Sequence, residues 1–229
     1  MTISYTSWWS CLLLLLMPMI FHGQENLTAY WQPQMALNYR VSNNYSHNFS
    51  LAHRSYVIED GDFRFKGRQI DLVHFSKFNV QDNQSVSLGV QYRFRNIFDG
   101  KQDELRLTQQ YNITSSPLVV RFGHRLRTEQ RILKNLTIHR FRYRFASDFP
   151  LKGEKLDIGE PFLIASMEQL LSVSKGSSPQ YDVRLTGQMG WKMDRKLKLL
   201  VGIEYRMEDY TFATPQNILF LLTSAQLSF

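Results

Sequence analysis

The 229-residue sequence has little cysteine, little histidine and few long apolar runs, and each shortage removes a class of function. The single cysteine, Cys11, lies inside an apolar amino-terminal stretch, so the rest of the chain offers neither a disulfide scaffold nor thiol or cysteine-metal chemistry. The six histidines are scattered and form no clustered ligand set, so neither a metal nor a cofactor is expected. After the first twenty residues the best apolar run is Ile218 to Leu222, far short of the roughly 20 residues a membrane helix needs. If the chain enters a membrane it must therefore do so as a closed β-barrel, the other way of satisfying every backbone group in lipid. A basic tail or basic helix face is also missing. The formal charge of +7 comes mostly from arginines that alternate with apolar residues and have acids among them, which argues against a nucleic-acid partner.

Residues 1–23 read as a secretory signal, with an apolar core from Cys11 to Ile20 interrupted by Pro18, although the preceding MTISYTSWWS carries no Lys or Arg. The remainder, 24–229, reads as a single domain. Its organising stretch is RFGHRLRTEQR at 121–131, followed by HRFRYRF at 139–145. At period 2, Arg121, Arg125, Arg127, Glu129 and Arg131 share one face and Phe122, His124 and Leu126 the other. Arg140, Arg142 and Arg144 oppose Phe141, Tyr143 and Phe145 in the same way. Helical spacing would smear both sets around a cylinder, so the period chooses strand.

Eleven such segments follow one another from Ala29. Glu59 to Gly67 reads as a polar loop, NIFDGKQD as another, and DFPLKGEKLDIGEP as an irregular connection. The stretch 162–173 fits helix or strand by period and is assigned to strand by its neighbours. A soluble sandwich would bury the aromatic faces, whereas a membrane barrel would turn them to lipid and the arginines to a lumen. Long strands, aromatics near strand ends and Phe229 ending an alternating segment favour the barrel. The fold expected is all-β, an antiparallel up-and-down transmembrane β-barrel of 10 to 12 strands with short turns on one rim and longer loops on the other. Because such barrels normally have an even count, twelve is the best value, with the stretch before Pro33 as the extra strand.

The last seven residues, TSAQLSF, resemble the assembly signal of outer-membrane proteins. Thr223, Leu227 and Phe229 match it, while Ser224 stands where glycine is usual. That resemblance implies the barrel-assembly machinery as a partner during insertion. Trp31 opening the first strand, HRLRTEQR at 124–131, RFRYRF at 140–145 and Glu168 further resemble the domain-of-unknown-function 2490 family of outer-membrane barrels from Bacteroidota-like bacteria. The likeness implies a fold, the outer membrane of a Gram-negative bacterium as location, and membrane lipid as surroundings; it brings no activity.

In a barrel, Arg93, Arg95, Arg106, Arg121, Arg125, Arg127, Arg131, Arg140, Arg142, Arg144, Arg184 and Arg206 face the lumen, with Glu129, Glu168 and Glu204 as partners and Glu104, Asp182 and Glu208 as further candidates. Ten to twelve strands are too few for a wide aqueous pore, since wide pores appear at around sixteen. These charges then form a structural lattice in a largely filled lumen, or line a narrow path or pocket for an anionic solute. A lipid hydrolase is a third reading, resting on His53-x-Ser55 and His74-x-Ser76; no acidic orienter stands at a matching position, and no enzyme activity is expected.

Overall fold

A computed structural model describes residues 27–229. The secretory-signal reading at 1–23 therefore lies outside the described residues. Eleven strands run in chain order: β1 (Thr28–Arg40), β2 (Tyr45–Glu59), β3 (Asp62–Gln81), β4 (Gln84–Phe94), β5 (Glu104–Ser115), β6 (Arg121–Ile132), β7 (Thr137–Pro150), β8 (Pro161–Ser174), β9 (Gln180–Lys192), β10 (Leu197–Glu208) and β11 (Gln216–Ser228). One turn of helix, α1 (Asn96–Asp99), sits between β4 and β5. Each strand pairs with the next in antiparallel fashion, and β1 closes on β11. The ambiguous stretch at 162–173 is β8.

The count lies within the ten to twelve expected, but it is eleven and not twelve. The stretch before Pro33 is continuous with β1, whose strand begins at Thr28. Pro33 has no N–H to give a ladder, and the β1–β2 pairing steps from Trp31–Ser55 to Gln34–Ala52 across it. An odd count has a geometric consequence: when strands alternate in direction, the first and last run the same way. The seam between β1 and β11 is accordingly parallel, in register from Thr28–Ile218 to Asn38–Ser228, so the barrel is mixed and not wholly antiparallel. On its outer side Trp31 Nε1 donates to Thr223 Oγ1 at 3.2 Å, and at its end Phe229 N donates to Asn38 O at 2.9 Å.

The connections after β1, β3, β5, β7 and β9 make an upper rim and the others a lower rim. Short and long connections do not sort between them. The upper rim carries both the two-residue β3–β4 turn and the irregular loop 151–160. The sequence 59–67 is not a loop but the tip of a hairpin that continues β2 and β3 beyond the lower rim. Only Asp60 and Gly61 turn, with φ of 53° and 89°, the positive pair that a two-residue hairpin of matching twist needs. Phe63 and Phe65 alternate with Asp62, Arg64 and Lys66 along it, and Phe65 stacks on Trp31 with ring centroids 6.2 Å apart.

Faces follow the alternation. Met35, Leu51, Leu72, Leu88 (66% exposed), Leu126, Phe141, Tyr143, Leu185 and Ile203 lie on the outside, in a belt of large apolar side chains that runs around the barrel. Aromatics stand toward both edges of the belt, as with Tyr39 and Phe78 above and Tyr92 and Tyr181 below. Polar groups on this surface pair with one another: His124 Nδ1 lies 2.8 Å from Tyr143 Oη, and Thr128 Oγ1 donates to Gln109 Oε1 at 2.6 Å. A twelve-residue strand such as β6 is about 40 Å long, and tilted by about 40° it rises about 30 Å, enough for an apolar band of about 25 Å.

Candidate functional site

The barrel interior is the candidate site. Inward positions of the lower half carry charge on nearly every strand, and they meet in a lattice of neighbouring ion-pair groups. Glu104, 1% exposed, is its most enclosed carboxylate. Arg131 grips it with both prongs, Nε–Oε1 at 2.7 Å and Nη2–Oε2 at 3.0 Å, while Arg95 Nη2 reaches Oε2 at 2.6 Å and Arg106 also bonds Oε1. Arg142 bridges two carboxylates, with Nη1 on Glu129 at 2.6 Å and Nη2 on Glu168 at 2.5 Å. Glu168 further receives Arg125 at 2.9 Å and Arg184 at 3.8 Å. Arg93 holds Asp71 by a fork of 2.6 and 2.8 Å, and Arg206 binds Glu204 at 2.5 Å. Arg127 donates to Gln110 and stands 3.4 Å from Glu129, and Arg140 donates to Ser172 and stands 4.0 Å from Asp182. The planar fork of arginine suits this job, since it presents parallel N–H groups to a carboxylate in a fixed geometry.

Period 2 thus places the predicted arginines and glutamates on the lumen face, with one exception in depth. Arg121 shares that face but lies at the upper rim, exposed, in a fork to Asp148 of 2.9 and 2.7 Å. It belongs to the mouth and not to the lattice.

An aromatic cluster that the alternation did not reveal stands beside the lattice. Tyr30, Tyr56, Ile218 and Phe220 are buried together inside the barrel where β1, β2 and β11 meet. Arg54 and Arg206 lie over the Phe220 ring, at 4.7 and 3.8 Å from its centroid, and Arg68 lies 4.6 Å from that of Tyr30. Arg54 also sends Nε and Nη2 to Gln32 Oε1 at 3.0 and 2.7 Å. Bulges at Arg54/Ser55 and Tyr56/Ile58 interrupt the period there, which hides this part of the lumen from pattern reading. The usable signal was Arg54 on the face of Ser46, Asn48 and Ser50.

The interior is not filled throughout. Thirteen arginines and one lysine, against five carboxylates, line a cavity of about 660 Å³. Two others, of about 380 and 190 Å³, continue toward the upper rim. Their walls are mostly small or neutral groups, such as Ser85, Asn112, Gly123 and Ala146. Two aromatic rings also reach inward, Phe75, which lines the 660 Å³ cavity, against Gly89 and Phe162 against Gly190 of the neighbouring strand, where a side chain on either glycine would collide with the ring.

The two His-x-Ser pairs have different surroundings. Ser55 Oγ lies 3.3 Å from His53 Nδ1 but is 1% exposed. Ser76 receives the Tyr45 hydroxyl, and His74 pairs with His47 at 3.0 Å. Outside the barrel wall, the carboxyl of Asp103 is held below the usual carboxylate range by the backbone N–H groups of Asn96 and Arg95, and that of Asp194 by those of Lys196 and Leu197.

The family model described as a protein of unknown function (DUF2490) matches residues 28–216, which is β1 to the start of β11. The chain belongs to the DUF2490 family. No curated protein matches this DUF2490 chain. Among solved structures, the siderophore receptor PirA from Pseudomonas aeruginosa aligns at 15% identity with a TM-score of 0.29, over 76% of this chain and 32% of that one. The DUF2490 chain thus spans about a third of that receptor's length.

Proposed function

We propose that the protein is an outer-membrane β-barrel of a Gram-negative bacterium, a structural or accessory barrel whose lower lumen is closed by its arginine–carboxylate lattice. The apolar belt carries the membrane part of this reading: exposed contiguous apolar surface on this scale is foreign to soluble monomers and matches the lipid face of a barrel. The lattice supports the closed part, because Arg142 and Glu168 tie β6 through β7 to β8 and β9 with paired charge that narrows the lumen. Lipid is the immediate partner, and the barrel-assembly machinery would insert the chain. No catalytic role is proposed.

Purified in detergent, the unheated protein should migrate as a compact species that boiling converts to a slower one. In planar bilayers it should show no large steady conductance, and an open channel would overturn the closed lumen. The excess of arginine over carboxylate supports a second reading, a narrow anion path. That reading requires anion-selective current that falls when Arg125 or Arg142 is replaced.

A further inference from the structure

At its upper edge the charge lattice brings two arginines together with too few carboxylates. Arg125 and Arg144 face each other directly across β6 and β7, and like charges so placed repel. Two other such pairs share a carboxylate, and a third, Arg184 opposite Arg206, has one for each member, Glu168 and Glu204. Arg127 opposite Arg142 has Glu129, and Arg106 opposite Arg131 has Glu104. Arg144 has none. Its neighbour across β7 and β8 is Glu168, but that carboxylate is taken by Arg142, Arg125 and Arg184. Among the described residues, Arg144 is the one arginine lining the 660 Å³ cavity whose side chain makes no hydrogen bond, ion pair or ring contact. Nε of Arg125 is buried and likewise unmatched.

Position gives this surplus a purpose. The 660 Å³ and 380 Å³ cavities share only four lining residues: Lys77, Gln110, Arg125 and Arg144. Three cations and one amide therefore form the neck between the upper vestibule and the lattice. Arg144 also borders the third cavity, so it stands where all three meet. The vestibule above is walled mostly by neutral groups, carries the Arg121–Asp148 pair at its mouth and reaches the Asp82–Asn83 turn at the upper rim.

We infer that this neck is a binding site for a small oxyanion of the phosphate type, with Arg144 as its principal ligand and Arg125 and Lys77 beside it. The guanidinium fork matches two oxygens of such a group, and a cluster of three cations selects a multiply charged ion over chloride. A cavity of 380 Å³ sets the size at inorganic phosphate or a small phosphorylated solute, entering from the upper rim. The inference rests on the barrel reading above but not on whether the barrel conducts.

The test uses the full chain, folded in detergent and first shown to be heat-modifiable, so that failure of the barrel reading is seen separately. Inorganic phosphate is titrated at fixed ionic strength and followed by calorimetry and by thermal unfolding, with sodium chloride and sulfate as comparisons. Saturable phosphate binding is expected, weakened about tenfold or more by Arg144→Gln, the loss of one charge-assisted contact. Sulfate binding as well would widen the class to tetrahedral oxyanions, in keeping with the site. Arg64→Gln, on the exposed hairpin, should leave the affinity unchanged. If Arg144→Gln does not fold, Lys77→Gln takes its place and should weaken binding in the same direction. A folded barrel that responds to phosphate no more than to chloride overturns the inference, as does unchanged affinity in both variants. A phosphorylated sugar that binds more tightly than phosphate would identify a solute as the physiological occupant. Anionic lipid that binds to both parent and Arg144→Gln protein alike would place the interaction on the outer wall and overturn a lumen site.

Discussion

The upper and lower halves of the lumen are built by the same eleven strands and solve the problem of an interior in different ways. Below, long charged side chains pair with one another around a cavity of about 660 Å³; above, mostly short or neutral side chains border smaller spaces of about 380 and 190 Å³. The lower solution specifies register strongly. A slip of one residue would turn Glu104, Glu129 and Glu168 to the outer face and bring Leu105, Gln130 and Met167 inside. The upper solution specifies little by itself and leaves room for a guest. The lattice fixes the barrel so that the vestibule need not.

That contrast can be broken. The largest effect is expected from Glu104→Gln, which leaves Arg95, Arg106 and Arg131 crowded around a neutral amide. Removing one partner of a buried charge network costs about 3–5 kcal/mol, so urea unfolding in micelles should shift strongly or the compact band should disappear. Asn112→Ala in the vestibule, which removes neutral hydrogen bonds with Ser85 and Gln110, should move stability by only about 1 kcal/mol. Equal losses in the two variants would erase the distinction between the halves. Next comes Gly190→Val, which pushes against the Phe162 ring. Overpacking of this kind costs about 1–3 kcal/mol, and pairing it with Phe162→Ala should recover part of the loss. The smallest effect concerns the upper rim. Asp194 in the β9–β10 turn accepts N–H groups from Lys196 and Leu197 at 2.6 and 2.7 Å, which depresses its pKa. A group depressed in the folded state stabilises above its ordinary value of about 3.9 and loses that contribution as pH falls through its lower folded value. The thermal difference between the parent and Asp194→Ala should therefore be present at neutral pH and vanish in acid. A difference that persists there would show that the turn is held by something other than ionised Asp194.

Much of this could be read in the sequence, and the limits are physical. Period 2 assigns a face, so Arg125, Arg127 and Arg142 could be placed inward and Phe141 and Tyr143 outward. It carries no information on depth along the axis, which is why Arg121 was grouped with a lattice it does not join. Where a bulge breaks the period, as at Arg54/Ser55, the pattern fell silent, and Tyr56 packing on Tyr30 and Phe220 went unseen. The segment 59–67 looked like a loop because Asp and Gly are dense there, although two of those residues suffice for the turn. The parity of the strand count was legible in principle, since eleven segments were visible. The expectation of an even number, which is a habit of such barrels and not a physical necessity, argued against them.

The closing seam also decides the order of events during assembly. Ten of the eleven pairings join strands adjacent in sequence and can form as hairpins, with little chain entropy at stake. The seam joins residues as far apart as Trp31 and Thr223, 192 positions, and so must come last. Until it does, β1 and β11 are both bare edges, each with unpaired backbone groups able to capture another chain. An assembly intermediate of this barrel is thus a nearly finished sheet with two adhesive margins, and whatever shields them governs whether it closes or aggregates.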